Sequence, residues 1–200
     1  MKLYFAPGAC SFADHIALHE AYLSFEWIKV DLKTMRTEDG RDFTQINPKG
    51  YVPALMLDPG EILTENIAIL MWVAERTSGL VPKEELGRYR LWEMLAYIST
   101  EIHKSFKPLF SPDADDKAKA EAKETILMRL RYIAERMKGD YVLGNQFTVA
   151  DCYLFTMLTW CRKNAMALAA PLPAYAMRVA ARDSVKMALQ HEGWELPAWE

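Results

Sequence analysis

The chain has little cysteine: Cys10, Cys152 and Cys161 are the three in 200 residues. An odd, widely spaced set makes neither a disulfide framework nor a metal-binding cluster, so free thiols in a reducing, cytoplasmic compartment are expected. Long hydrophobic runs are missing as well. The longest uninterrupted apolar stretch is Ile67 to Ala74, far short of the roughly 20 residues that cross a bilayer. Lys2 and a few apolar residues before Pro7 do not read as a secretory leader. There is no excess of charge of either sign. The 24 basic and 27 acidic side chains leave a net charge of -3, which gives no electrostatic reason to expect nucleic acid or an anionic membrane as partner. Internal repeats and low-complexity segments are also absent.

What is present is enough apolar material for a sizeable core: 51% of residues are hydrophobic and 26% charged. "KLYF" at 2–5 reads as a strand and 12–22 as a helix with Ile16 and Ala17 inward. "FEWIKVDL" at 25–32 alternates as a second strand. "PALML" and "EILT" flank Asp58, Pro59 and Gly60 and read as a hairpin, with a helix from about Glu65 to Arg76. Beyond residue 86 the strand pattern stops. Leu91, Leu95, Ile98 and Ile102 recur at helical spacing, as do Ile126, Leu130, Ile133 and Met137. "SPDADD" at 111–116 separates those two helices, and further helices are expected near Thr148 and after Pro171 and Asp183. The expectation is an α/β domain over 1–79, a linker over 80–86 and an all-helical domain over 87–200.

Five stretches carry candidate chemistry. Cys10 lies between a strand and a helix, where thioredoxin-like proteins keep a reactive thiol, but the second cysteine usual three residues on is replaced by Ala13. A helix N-terminus favours the thiolate, so a lowered pKa is expected. A buried structural cysteine is the alternative. In "NPKGYVPAL" (47–55), Pro53 opens a strand. Such bonds are usually trans, but a cis Val52–Pro53 bond beside a thiol site would free the Val52 backbone for a peptide-like ligand. The alternative is an edge-strand proline with no role. In "LTEN" (63–66), Glu65 and Asn66 open a helix that suits a ligand carboxylate, with Glu65 suited to an ammonium. Glu65 otherwise only complements the helix dipole. In "STEIHKSFK" (99–107), His103 sits just past the core stripe, either as a boundary residue or as a catalytic group. In "QFTVADCYLF" (146–155), Thr148 and Asp151 have capping-box spacing, and Phe147 and Cys152 that of a hydrophobic staple. This stretch is read as structural.

In order and spacing, "PGACS", "NPKGYVPAL", "LTEN", "TEIHK" and "FTVADCYLF" resemble cytosolic glutathione transferases over essentially the whole chain, and Cys10 resembles the bacterial beta class in particular. The resemblance implies a thioredoxin-like domain followed by an all-α domain, a homodimer, glutathione as substrate and no metal. It implies catalytic roles for Cys10 and His103. Glutathione binding would fall to Cys10, Lys33, Met35, Tyr51, Val52, Pro53, Glu65 and Asn66, with Thr100 and Glu101 reaching across a dimer interface. Three positions depart from the family pattern. Asn66 stands where a small residue is usual, its amide still able to donate to a carboxylate. Met35 stands where a lysine often binds the glycyl carboxylate, so Lys33 or Lys49 is the substitute. Ala96 replaces an asparagine near the sulfur. The expected function is detoxifying conjugation of glutathione to small hydrophobic electrophiles, with glutathione-dependent thiol–disulfide exchange or reductive dehalogenation at Cys10 as a second chemistry on the same fold. A non-enzymatic ligand- or protein-binding relative is the alternative.

Overall fold

The computed structural model describes residues 1–196; positions 197–200 of the expected helical domain lie outside the described residues. Strand β1 (Lys2–Phe5) leads through a tight loop into α1 (Phe12–Glu20), and β2 (Glu26–Asp31) returns parallel to β1 with Lys2 opposite Glu26. The hairpin of β4 (Ala54–Met56) and β5 (Ile62–Thr64) joins antiparallel to β1, with Tyr4 opposite Ala54. With β3 at Arg36–Thr37, the sheet order is β3-β2-β1-β4-β5. The two-residue β3 was not legible in the sequence, because it is too short to alternate. It pairs antiparallel to β2 and blunts that edge.

Helix α2 (Asn66–Ala74) packs with α1 on one face of the sheet, where Leu3, Phe5 and Leu55 meet Ile16, Leu70 and Val73. Tyr4, Val30, Phe43 and Ala54 make a smaller cluster on the other face. The helical part begins with α3 (Gly87–Tyr97). A π-helical turn at Ile98–Ile102 and a 3-10 turn at His103–Phe106 carry the chain into the short α4 (Lys107–Phe110). Helices α5 (Asp116–Ala134), α6 (Val149–Lys163), α7 (Leu172–Ala180) and α8 (Asp183–Glu192) follow. Asp115 caps α5 by accepting the Ala118 N–H at 2.7 Å. Met137, the last of its expected helical stripe, lies beyond the end of α5.

Helix α6 is buried along most of its length and packs against α1, so a single apolar cluster runs from Phe12 and Ile16 to Phe155, Leu158 and Trp160. Its start is the expected capping box. Asp151 Oδ2 accepts the Thr148 N–H at 2.8 Å and its hydroxyl at 3.0 Å. The other oxygen accepts the Val142 N–H at 2.9 Å and the Tyr175 hydroxyl at 3.0 Å. Burial pushes this carboxyl up to about 6, against those four donors.

Candidate active site

The loop after β1 places the thiol. Gly8, at φ +65°, turns its N–H onto Glu192 Oε2 at 2.8 Å and its carbonyl onto the Trp160 indole N–H at 2.9 Å. Ser11 Oγ accepts the Ala6 N–H at 3.2 Å. The loop is thereby fixed from the helical side and from within, and Cys10 emerges half-buried. The Val52–Pro53 bond is cis, and the Val52 carbonyl accepts the Cys10 thiol at 3.2 Å.

The thiol itself corrects the expectation of a lowered pKa. Burial first, and the carboxylate side of Asp14 second, push Cys10 up to about 12. The Cys10 and Ser11 N–H groups pull the other way and are outweighed. The position explains why. Helix α1 begins two residues later, at Phe12, so Cys10 lies outside the first turn, where the dipole acts. A thiol that donates to a carbonyl is also stabilised in its protonated form.

Asn66 is the second correction. Its two amide hydrogens are both used inside the chain, on the Cys10 carbonyl at 2.9 Å and on Asp14 Oδ2 at 2.8 Å. The side chain is buried and positions the thiol loop; it is not free to donate to a ligand carboxylate. What remains for an anion there is the first-turn backbone of α2, whose N–H groups have no intrahelical acceptor. Just ahead of it, Glu65 has a positive φ of 73°. Its Oε1 accepts from Lys49 Nζ at 2.5 Å and from the Tyr51 hydroxyl at 2.6 Å, which holds the carboxyl below its usual range.

His103 faces Cys10 from the helical side of the cleft. Its Nδ1 is 2.6 Å from the Tyr153 hydroxyl, and its ring meets Trp160 edge-on with centroids 5.0 Å apart. Burial, with a smaller contribution from Lys104, lowers its pKa to about 4, so the ring is neutral at pH 7. The cleft of about 510 Å³ is lined by Cys10, Tyr51, Val52, Pro53, Glu65 and Asn66 on one wall and by Ser99, His103, Lys104 and Tyr153 on the other. A neighbouring lobe of about 380 Å³ shares Cys10, Tyr51 and Val52 and continues over Pro7, Leu32, Phe110, Trp160 and Lys163.

Ser99, Lys104 and Tyr153 were missed in the sequence. Tyr153 lies in an apolar run that reads as core. Ser99 and Lys104 look like surface residues until the π turn, which holds more residues than an α turn, rotates this stretch toward the sheet. Four expected residues are not on the wall of this chain's cleft. Lys33 is exposed on the loop after β2. Met35 packs against the cluster around Tyr4 and Val52. Thr100 donates to the Ala96 carbonyl at 3.0 Å, and Glu101 pairs with Arg129 at 3.0 Å. Of the two substitutes for a lysine at position 35, Lys49 is close to the cleft, bonded to Glu65 and Thr64.

Residues 1–75 match the description "Glutathione S-transferase, N-terminal domain", and residues 97–176 match "Glutathione S-transferase, C-terminal domain". Glutathione S-transferase GstA of Escherichia coli O157:H7 is 41% identical over 199 residues, covering 96% of this chain and 99% of the relative. A sphingomonad glutathione S-transferase solved in complex with glutathione is 48% identical, with a TM-score of 0.91 over 98% of this chain and 100% of that one. The bacterial beta-class glutathione S-transferase of Sphingomonas chungbukensis is 44% identical, with a TM-score of 0.90 over 96% of this chain and 99% of that one. With both domain descriptions matched in order and near-complete coverage at these identities, the chain belongs to the glutathione S-transferase family, in its bacterial beta class.

Proposed function

We propose that this chain binds glutathione in the cleft beside Cys10 and bonds its sulfur to small hydrophobic electrophiles held in the lobe under Phe110 and Trp160. The observation that carries this reading is the convergence of a protonated thiol, the Val52 backbone, the Glu65 carboxylate and a neutral histidine on one cleft. Glu65, at the mouth of α2, suits the ammonium of the γ-glutamyl end, and the first-turn N–H groups of α2 suit its carboxylate. Tyr51, Val52 and Pro53 line the peptide-like middle of the ligand.

Cys10 keeps its proton at neutral pH and donates it as a hydrogen bond to the glutathione thiolate, which avoids two adjacent negative sulfurs. The Tyr153 hydroxyl is held protonated by burial and donates to His103 Nδ1, so Nε2–H is the group left to stabilise charge on that sulfur. Thr100 and Glu101 lie away from the chain's own cleft and serve the site of a partner copy in a homodimer. Support for a homodimer comes from the exposed aromatics Tyr89 and Trp92 on α3 and the exposed Met128 and Tyr132 on α5. The division into units at 1–79 and 87–200, with 80–86 between them, is part of the same proposal.

The test is a steady-state assay with glutathione and a generic aromatic electrophile, run beside one with a glutathione mixed disulfide. Cys10→Ala is expected to abolish exchange and only reduce conjugation, and His103→Ala to lower both. Oxidised glutathione is expected to modify Cys10 reversibly and to spare Cys152 and Cys161, both fully buried. Wild-type protein inert in both assays would leave the non-enzymatic alternative standing.

A further inference from the structure

Three of the chain's four histidines take no part in this cleft. They meet at the seam between α1 and α8. His15 and His19 lie four residues apart on α1 and therefore on one face. His191, in the last turn of α8, faces both. His191 Nδ1 is 3.3 Å from His15 Nε2 and 3.1 Å from His19 Nε2. Among the described residues, this is a group whose ligand atoms all lie within 4.8 Å of one another. His15 is fully buried and the other two are half-buried.

The surroundings orient the nitrogens. Glu192 Oε1 is 3.0 Å from His15 Nδ1. Burial pushes the Glu192 carboxyl up to about 8; in its ionised form it accepts, which puts the His15 ring proton on Nδ1 and a lone pair on Nε2. This is the carboxylate–imidazole arrangement that commonly supports a metal-ligating histidine. Glu192 is itself anchored, since its other oxygen accepts from the Gly8 N–H and from the Trp194 indole. Trp27 stacks on the His191 ring at 3.6 Å and 7° and fixes its plane.

With Glu192 ionised, hydrogen bonding among the three rings is frustrated. With His15 Nε2 an acceptor, a single proton on His191 Nδ1 must serve two neighbours. If His19 supplies that proton instead, two lone pairs face each other across the His15–His191 contact. A cation takes all three lone pairs at once. Ligands at roughly 2.0–2.1 Å around a tetrahedral zinc stand about 3.3 Å apart; the two pairs that include His191 already have that spacing, and His15 and His19, within 4.8 Å of each other, need only a small ring movement to reach it. A cleft of about 520 Å³ lined by His19, Leu23, Arg182, Ser184 and Met187 gives access from solvent.

We propose that His15, His19 and His191 bind one divalent transition cation, Zn²⁺ in the first instance, with Glu192 orienting His15. Imidazole ligands suit zinc and its neighbours in the first transition row. The ion would tie α8 to the helix that follows Cys10 without entering the cleft, so it is a clamp and not part of the sulfur chemistry.

The test uses the full chain freed of metal with a chelator. Calorimetric titration with Zn²⁺ should show one equivalent bound per chain. Co²⁺ should give the intense visible absorption of a four- or five-coordinate nitrogen site, without sulfur charge-transfer bands. His19→Gln and His191→Gln should each weaken Zn²⁺ binding by at least about tenfold, whereas Cys10→Ser and His103→Gln should bind as wild type does. Should a histidine variant fail to fold, imidazole nitrogen resonances of the wild type decide: Co²⁺ should shift those of His15, His19 and His191 and spare His103. No stoichiometric binding, binding that survives both histidine substitutions, loss of binding with Cys10→Ser, or shifts centred on His103 would each overturn the proposal.

Discussion

Cys10 shows how far a single residue can be judged from its neighbours in the chain. The sequence placed it between a strand and a helix, and the structure keeps it there. What the sequence could not supply was the burial, the Val52 carbonyl and the Asp14 carboxyl that together favour the protonated thiol. The expected consequence is that alkylation of Cys10 by iodoacetamide, without glutathione present, is slow at neutral pH and still rising at the most alkaline pH the protein tolerates. A rate that levels off below pH 7 would mean a stabilised thiolate. Asn66 makes the same point. Asn66→Ala leaves the Cys10 carbonyl and the Asp14 carboxyl without their donor, and a loss of about 1–3 kcal/mol is expected in chemical denaturation. Tyr153→Phe keeps the ring and removes the hydroxyl on His103. Conjugation should fall with a smaller change in the KM for glutathione, because the hydroxyl is engaged by His103 Nδ1 and acts through that ring.

At the scale of elements, the capping box of α6 was legible because its residues are four apart or fewer. Its energetic weight was not. A cap residue alone is worth about 0.5–2 kcal/mol. Asp151 also receives Val142 and Tyr175, which come from the preceding loop and from α7. Asp151→Ala is therefore expected to cost on the order of 3 kcal/mol, since buried donors are left unsatisfied at more than one place. Thermal melting and glutathione titration below the melting point check this together. Affinity should be nearly unchanged where the variant is folded. The π turn in the first long helical stretch was invisible, because the apolar stripe through Leu91, Leu95, Ile98 and Ile102 is preserved across it. Its effect is felt by the residues that follow the stripe positions Ile98 and Ile102, Ser99 and His103, which reach the cleft wall.

For the whole molecule, the seam between the α/β part and the helices is knitted by long-range contacts. Arg182 and Ser184 on or beside α8 engage Glu20 on α1, and Trp160 and Glu192 hold the Gly8 loop. The apolar cluster is continuous across that seam, so the two parts are expected to unfold in one cooperative transition. The exposed aromatic edge of α3 leads to a prediction at this scale. Light scattering should give twice the chain mass, and Trp92→Glu, which places a charge on that edge, should shift the protein toward monomer. A monomeric wild type would remove the proposed role of Thr100 and Glu101 across the interface.

The sequence by itself determined the succession of the main strands and helices, the hairpin beside the thiol, the start of α6 and the family, because each depends on residue types at short, regular spacing. Tertiary structure alone decided the protonation of Cys10, the internal use of Asn66, the partnership of His103 with Tyr153 and the meeting of His15 and His19 with His191. Those outcomes depend on burial and on contacts between residues 42 or more positions apart, and nothing in local spacing encodes which distant groups will share one low-dielectric pocket.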